Sequence, residues 1–235
     1  MKKNRFAVAS VIVAMLAVLA IDTHSNCHNT GGQHNCEDNT VIEGTMYWNQ
    51  SAGNTVFYFI GPARSGQPGL TVDVDHMAEV WEDVSWNGVE LPIKMTNQGN
   101  TPLQPSSQWD NHNVIGWGPI TRTGKTIARC HRRTYHNSHE LREADIEFNY
   151  YKDFAAHDSP DSNKFCVRNI AAHEIGHMLG LNDGPEYKTS LPISGTNCPD
   201  YKPYTMYGAA AKGEHKKVTL RCEDEWALKE KYPIP

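Results

Sequence analysis

Two histidines four residues apart enclose a glutamate in His173-Glu174-Ile175-Gly176-His177. A helix turns ~100° per residue, so positions four apart share one face about a turn along. Two imidazoles placed in this way can bind one Zn²⁺ at ~2.0–2.1 Å. Glu174, beside the first of them, is within reach of a water at the metal. This is the H-E-x-x-H pattern, in which the glutamate serves as general base. Histidine is abundant, twelve in all, so the short pattern alone has a chance rate of roughly a few per cent.

The residues that follow make coincidence much rarer. Gly180 comes three positions after His177, and Asp183 three after that. Glycine takes the left-handed conformation that ends a helix and turns the chain sharply. Such a turn can return Asp183 to the same metal, where a carboxylate oxygen is an acceptable ligand at ~2.0–2.2 Å. Asp200, after Gly195-Thr196, is the alternative third ligand; the glycine turn favours Asp183.

These residues need elements to position them. Cys166–Leu181 has the periodicity of a long helix, with Ile170, Ala171, Met178 and Leu179 as its buried face. Thr55–Ile60 is β-branched and aromatic, ends at Gly61-Pro62, and reads as a buried strand. Val72–Val84 places Val72, His76, Met77, Val80, Trp81 and Val84 at helical spacing and stops near Asn87-Gly88. Leu91–Met95, Asn113–Gly118 and Thr126–Cys130 read as strands, the last two flanking a turn at Gly124, and Ala144–Tyr150 alternates in the strand manner. Gly99–Asp110 and Tyr187–Tyr204 read as loops, and Val218–Tyr232 holds a closing helix with Trp226, Leu228 and Tyr232. The expected class is α+β (α/β), with a cleft between a sheet-bearing half and a smaller C-terminal part.

The chain has 235 residues and a formal net charge of -5, which offers no basic face to nucleic acid. Lys2, Lys3 and Arg5 precede an almost unbroken apolar run from Phe6 to Ile21, with Val18 and Ala20 placed for cleavage after Ala20. Residues 1–20 therefore read as a secretory signal peptide, and the run is shorter than the ~20 residues of a spanning helix. The product expected is a secreted monomer with no membrane association after cleavage. Residues 21–44 are polar and read as a short N-terminal segment or pro-region, and 45–235 as one domain. Six cysteines (Cys27, Cys36, Cys130, Cys166, Cys198 and Cys222) survive cleavage. In an exported chain an even count suggests three disulfides, with Cys27–Cys36 the easiest local pair.

From His173 to Asp183 the chain resembles the metzincin zinc endopeptidases, whose pattern is H-E-x-x-H-x-x-G-x-x-H/D followed by a Met-turn. Thr205-Met206-Tyr207-Gly208 matches the Met-turn, which implies that Met206 forms an apolar floor under the metal ligands. Asn113–Gly118 and Ala144–Asn149 resemble strands of matrixin-type catalytic domains, and Leu220–Tyr232 their final helix. The resemblance runs from Thr45 to Tyr232, strongest at the metal-site residues. Matrixins usually carry a third histidine where this chain has Asp183; aspartate there resembles the snapalysin branch, whereas ligation by Asp200 would resemble the aspzincin arrangement.

The resemblance implies a zincin domain with a twisted mixed sheet, an active-site helix, a cleft and a smaller subdomain bearing the Met-turn and closing helix. It implies one catalytic Zn²⁺ and a peptide-hydrolysing role, with Glu174 as base and His173, His177 and Asp183 as ligands. An extended polypeptide substrate would pair with an edge strand, for which the candidate is Ala144–Tyr150, including Ala144, Asp145, Ile146, Glu147 and Phe148. A second, structural Zn²⁺ near His131, His136 and His139 has only weak support, because Arg132 and Arg133 interrupt the spacing and a solvated loop explains it better. Structural Ca²⁺ has no D-x-D-x-D-G loop to hold it. The alternatives are a secreted zinc-binding protein without protease activity, or a zinc amidohydrolase acting on a non-protein substrate.

Overall fold

The computed structural model describes residues 46–49, 55–86, 89–106, 108–183, 205–220 and 222–232. The expected signal peptide, the whole 21–44 segment, Asp200 and the loop between Tyr187 and Tyr204 lie outside them. The described chain is mixed α and β. Its centre is a five-stranded sheet made of β1 (Thr55–Ile60), β4 (Lys94–Asn100), β5 (Val114–Gly118), β6 (Ala128–Thr134) and β7 (Leu141–Asn149). Their order is β4-β1-β5-β7-β6. All neighbours are parallel except β6, which runs antiparallel to β7. Two short pairs accompany the sheet: β2 (Ser85–Trp86) with β3 (Val89–Glu90), and β8 (Phe154–Ala155) with β9 (Phe165–Cys166).

Helices α1 (Thr71–Glu82) and α2 (Val167–Met178) pack on each other, and a core cluster joins them to one face of the sheet. In α1, Val74, Met77, Ala78 and Trp81 are buried, at the i, i+3, i+4, i+7 spacing of one face. They meet Val56, Tyr58 and Ile60 of β1, Ile115 and Trp117 of β5, and Ala144, Ile146 and Phe148 of β7. The Trp81 indole donates to Ala172 O at 2.9 Å, pinning α1 to the middle of α2. A 3-10 turn (Lys216–Val218) and α3 (Cys222–Lys231) come after α2 in the chain. No helix among the described residues is long and apolar enough to cross a membrane.

Most element assignments made from periodicity match, with shifted ends. The strand expected at Leu91–Met95 begins instead at Lys94, because Leu91 and Ile93 are buried as single side chains outside the ladder. One expectation is overturned. The Ala144–Tyr150 segment is not an edge strand: β7 is hydrogen-bonded to β5 on one side and to β6 on the other. Its alternation is real, yet both faces are buried. Ala144, Ile146 and Phe148 join the core, while Glu143, Asp145, Glu147 and Asn149 are buried on the opposite side. There Asp145 accepts from Ser106 N and Val114 N, and Glu143 from Asp110 N and Asn111 N. Burial pushes the Asp145 carboxyl up to about 6, against the opposing pull of those backbone donors. The sheet edge next to β7 is β6. Among the described residues Cys130 and Cys166 are free thiols, while Cys27, Cys36 and Cys198 of the expected disulfides lie outside them. Burial pushes both thiols above their ordinary range.

Candidate metal centre

Helix α2 carries His173, Glu174 and His177, and almost all of it is buried. Buried polar groups on such a helix need partners. Asn169 Oδ1 accepts from Lys217 N at 2.8 Å. His173 Nδ1 lies 2.8 Å from Thr205 O, and His177 Nδ1 lies 2.9 Å from Leu181 O. A carbonyl only accepts, so both Nδ1 atoms carry the proton. That leaves each Nε2 with its lone pair free for a cation, the second contact fixing the tautomer that the first needs.

The helix ends as its glycine requires. Gly180 has φ +91°. Gly180 N donates to His177 O at 2.9 Å and Leu181 N to Gly176 O at 3.0 Å. This pair of bonds is a Schellman turn, closed by a left-handed residue after the last helical turn. Glycine is needed twice over, because a Cβ at this position would also run into Met46 O. The last carbonyls are taken up by other elements. Trp48 Nε1 donates to Met178 O at 2.8 Å, the Tyr232 hydroxyl to Leu179 O at 2.9 Å, and Arg132 Nη1 of β6 to Leu181 O at 2.8 Å.

After the turn Asp183 returns to the histidines. Its Oδ1 is 3.2 Å from His173 Nε2 and 3.4 Å from His177 Nε2, and the two Nε2 atoms are 3.1 Å apart. These three residues form a group able to hold a metal ion. Tetrahedral ligands at zinc distances would stand ~3.3–3.4 Å apart, so the observed triangle needs only slight expansion to accept such an ion. The Asp183 carboxyl is held well below the usual carboxylate range by its hydrogen bonds to His173 and His177. Burial lowers the His177 imidazolium, but Asp183, Glu174 and Leu181 O outweigh it and the net shift is upward.

Glu174 is buried, and its Oε2 has no hydrogen-bond partner among the described residues. An unmatched carboxylate oxygen inside a protein costs ~1–3 kcal/mol or more, which fits an atom kept for a reacting molecule. Beneath the site, Gly176 gives room to Met206. A Cβ there would overlap the Met206 sulfur and stand 3.0 Å from the Trp81 ring. Met206 is fully buried, and the Asp224 carboxylate fixes its turn by accepting from Thr205 N at 3.1 Å and Met206 N at 3.2 Å. Gly208 lies against Asp183, where a Cβ would stand 3.1 Å from Oδ1.

The structure thus brings His173, Glu174, His177, Gly180, Asp183 and Met206 together as their spacing suggests. It leaves His131, His136 and His139 apart: among the described residues they form no ligand group, and His131 Nε2 is engaged by Glu147 Oε2 at 3.0 Å. Several neighbours had no signal in the sequence. Thr205 O, Leu181 O and the Asp224 carboxylate act through backbone groups or from far along the chain. Lys217 is buried, donates to Tyr207 O, and has its ammonium pushed down to about 8 by burial. The chain matches no model of a known protein family, and no characterised protein matches it.

Proposed function

We propose that this chain is a secreted zinc endopeptidase of the metzincin type. The observation that carries the reading is the triangle of His173 Nε2, His177 Nε2 and Asp183 Oδ1, with sides of 3.1 to 3.4 Å, beside the unpartnered Glu174 carboxylate. Two imidazoles and one carboxylate form the donor set of hydrolytic zinc sites, and three protein ligands leave a position open. Zinc held there would supply Lewis acidity toward a peptide carbonyl and an attacking water. Glu174 Oε2 takes the proton from that water and returns it to the leaving amine nitrogen. Thr205 O and Leu181 O keep both imidazoles in the ligating tautomer throughout. The Met206 floor, the Gly180 turn and a mixed sheet are what the metzincin resemblance leads one to expect.

An extended substrate would add to β6 rather than to β7, since β6 ends the sheet and packs against α2. Arg132 ties that strand to the turn before Asp183 through Leu181 O. Backbone pairing there would give affinity with little demand on sequence.

The deciding experiment is digestion of casein by the purified mature protein, with and without a chelator, alongside Glu174→Gln. The variant should keep its zinc and lose about 10²–10⁴ in turnover, the usual contribution of a general base. Chelator-resistant cleavage, or near-normal turnover by Glu174→Gln, would overturn the reading.

A further inference from the structure

Away from the first site, His157, Cys166 and His215 each bring a ligand atom within 4.8 Å of the other two. His157 Nδ1 is 3.6 Å from Cys166 Sγ and 3.4 Å from His215 Nδ1. Tetrahedral zinc with nitrogen at ~2.0–2.1 Å and sulfur at ~2.3 Å sets its ligand atoms ~3.3–3.4 Å apart for a nitrogen pair and ~3.5–3.6 Å apart for nitrogen and sulfur. Both observed separations match. The two rings meet edge-on, with centroids 5.3 Å apart. That packing alone would not require all three heteroatoms to turn toward a common centre.

Three separate stretches of chain hold the donors in place. Cys166 closes β9 and is the N-cap residue of α2. His157 follows β8, which pairs with β9 at Ala155 and Cys166. Its backbone N–H donates to Asp73 Oδ2 at 3.1 Å, and the other Asp73 oxygen accepts from Arg168 Nε at 2.9 Å. His215 lies in a turn docked on the strand before Cys166, where Gly213 N donates to Lys164 O at 2.8 Å. Gly213 has φ +72°, and a Cβ there would touch the Ser162 backbone. The position of His215 is therefore built into the backbone. Cys166 is buried while both histidines are partly exposed, so an ion has a way in.

We propose that His157 Nδ1, Cys166 Sγ and His215 Nδ1 bind a second Zn²⁺, with water completing its coordination. Deprotonation of Cys166 releases its proton to solvent, and no redox change is involved. The ion clamps the start of α2 to the segment that follows Met206. It thereby supports the catalytic helix from the end opposite Asp183. Thiolate and imidazole together select a borderline-soft ion such as Zn²⁺ over Ca²⁺ or Mg²⁺.

Cobalt substitution tests this, because only a thiolate ligand gives Co²⁺ an intense charge-transfer band in the near ultraviolet. Metal-free mature protein, kept reduced, is titrated with Co²⁺. Two equivalents should bind, one of them with that band. Cys166→Ser should lose the band and one equivalent, while His173→Ala should lose an equivalent and keep the band, which separates this site from the proposed catalytic one. Should Cys166→Ser fail to fold, X-ray absorption on the zinc-loaded wild type decides through a sulfur scatterer at ~2.3 Å. No band and no sulfur scatterer in the wild type, or a band that survives in folded Cys166→Ser, would overturn the proposal.

Discussion

A methyl group at Gly176 would overlap the Met206 sulfur and press on the Trp81 ring. Two effects compete in Gly176→Ala. Alanine gains ~1 kcal/mol of helix propensity over glycine. Overpacking a filled core costs ~1–3 kcal/mol, and here neither neighbour can yield easily. Met206 is fully buried in a turn fixed by Asp224, and Trp81 is tied to Ala172 O. Packing should win. The variant is expected to melt at a lower temperature and to bind zinc more weakly, because Thr205, next to Met206, orients His173. Thermal melts and a competitive zinc titration measure both, and an unchanged or raised melting temperature would show that the floor is softer than it looks.

At the scale of elements, the turn that ends α2 delivers both a carbonyl to His177 and the carboxylate of Asp183. Gly180→Ala places a β-carbon at φ +91° and against Met46 O. The left-handed conformation alone costs an L-residue ~1–2 kcal/mol, and the backbone contact adds to it. The expected result is a folded protein with lower stability and reduced zinc affinity; affinity at the wild-type level would show that Asp183 reaches the metal without this turn. The glycine's role was legible in the sequence, as was α1, through the helical spacing of its one buried face, and as were β1, β5 and α2, through the apolar, aromatic and small residues of elements buried on most sides. The position of β7 was not. Its alternating Ala144, Ile146 and Phe148 against Asp145 and Glu147 looks the same whether the polar side meets water or a second buried layer of backbone donors and arginines. The His157, Cys166 and His215 group was equally hidden, since its members lie on three stretches that only tertiary structure brings together.

For the molecule as a whole, protons and metal would compete for the same atoms at the proposed zinc site, which would give the two forms opposite responses to pH. In the metal-free protein the net pKa of His177 is raised. Its stabilising contribution is then complete below the unfolded value of ~6.5 and is lost as pH rises through the folded value. Asp183 is depressed, so its contribution is present above ~3.9 and lost only as pH falls through its folded value. Zinc needs both imidazoles neutral, so its affinity climbs with pH over the range where the His177 contribution fades. Two groups that are not metal ligands also change stability with pH. Lys217, lowered to about 8, costs stability below that pH and is relieved only above it, and Asp145, raised to about 6, has exerted most of its cost once pH exceeds that value. Asp145, whose shift involves no residue of the metal centre, cancels when the metal-free melting temperature is subtracted from the zinc-loaded one, and Lys217 titrates above the range compared. The increment from excess zinc, which follows RT ln(1 + [L]/Kd), should therefore grow between pH ~6 and ~7.5. Melts of the chelated and zinc-saturated protein at several pH values measure it directly. A constant increment would mean that the stabilising ion is held by groups that do not titrate in this range, and so not by His177.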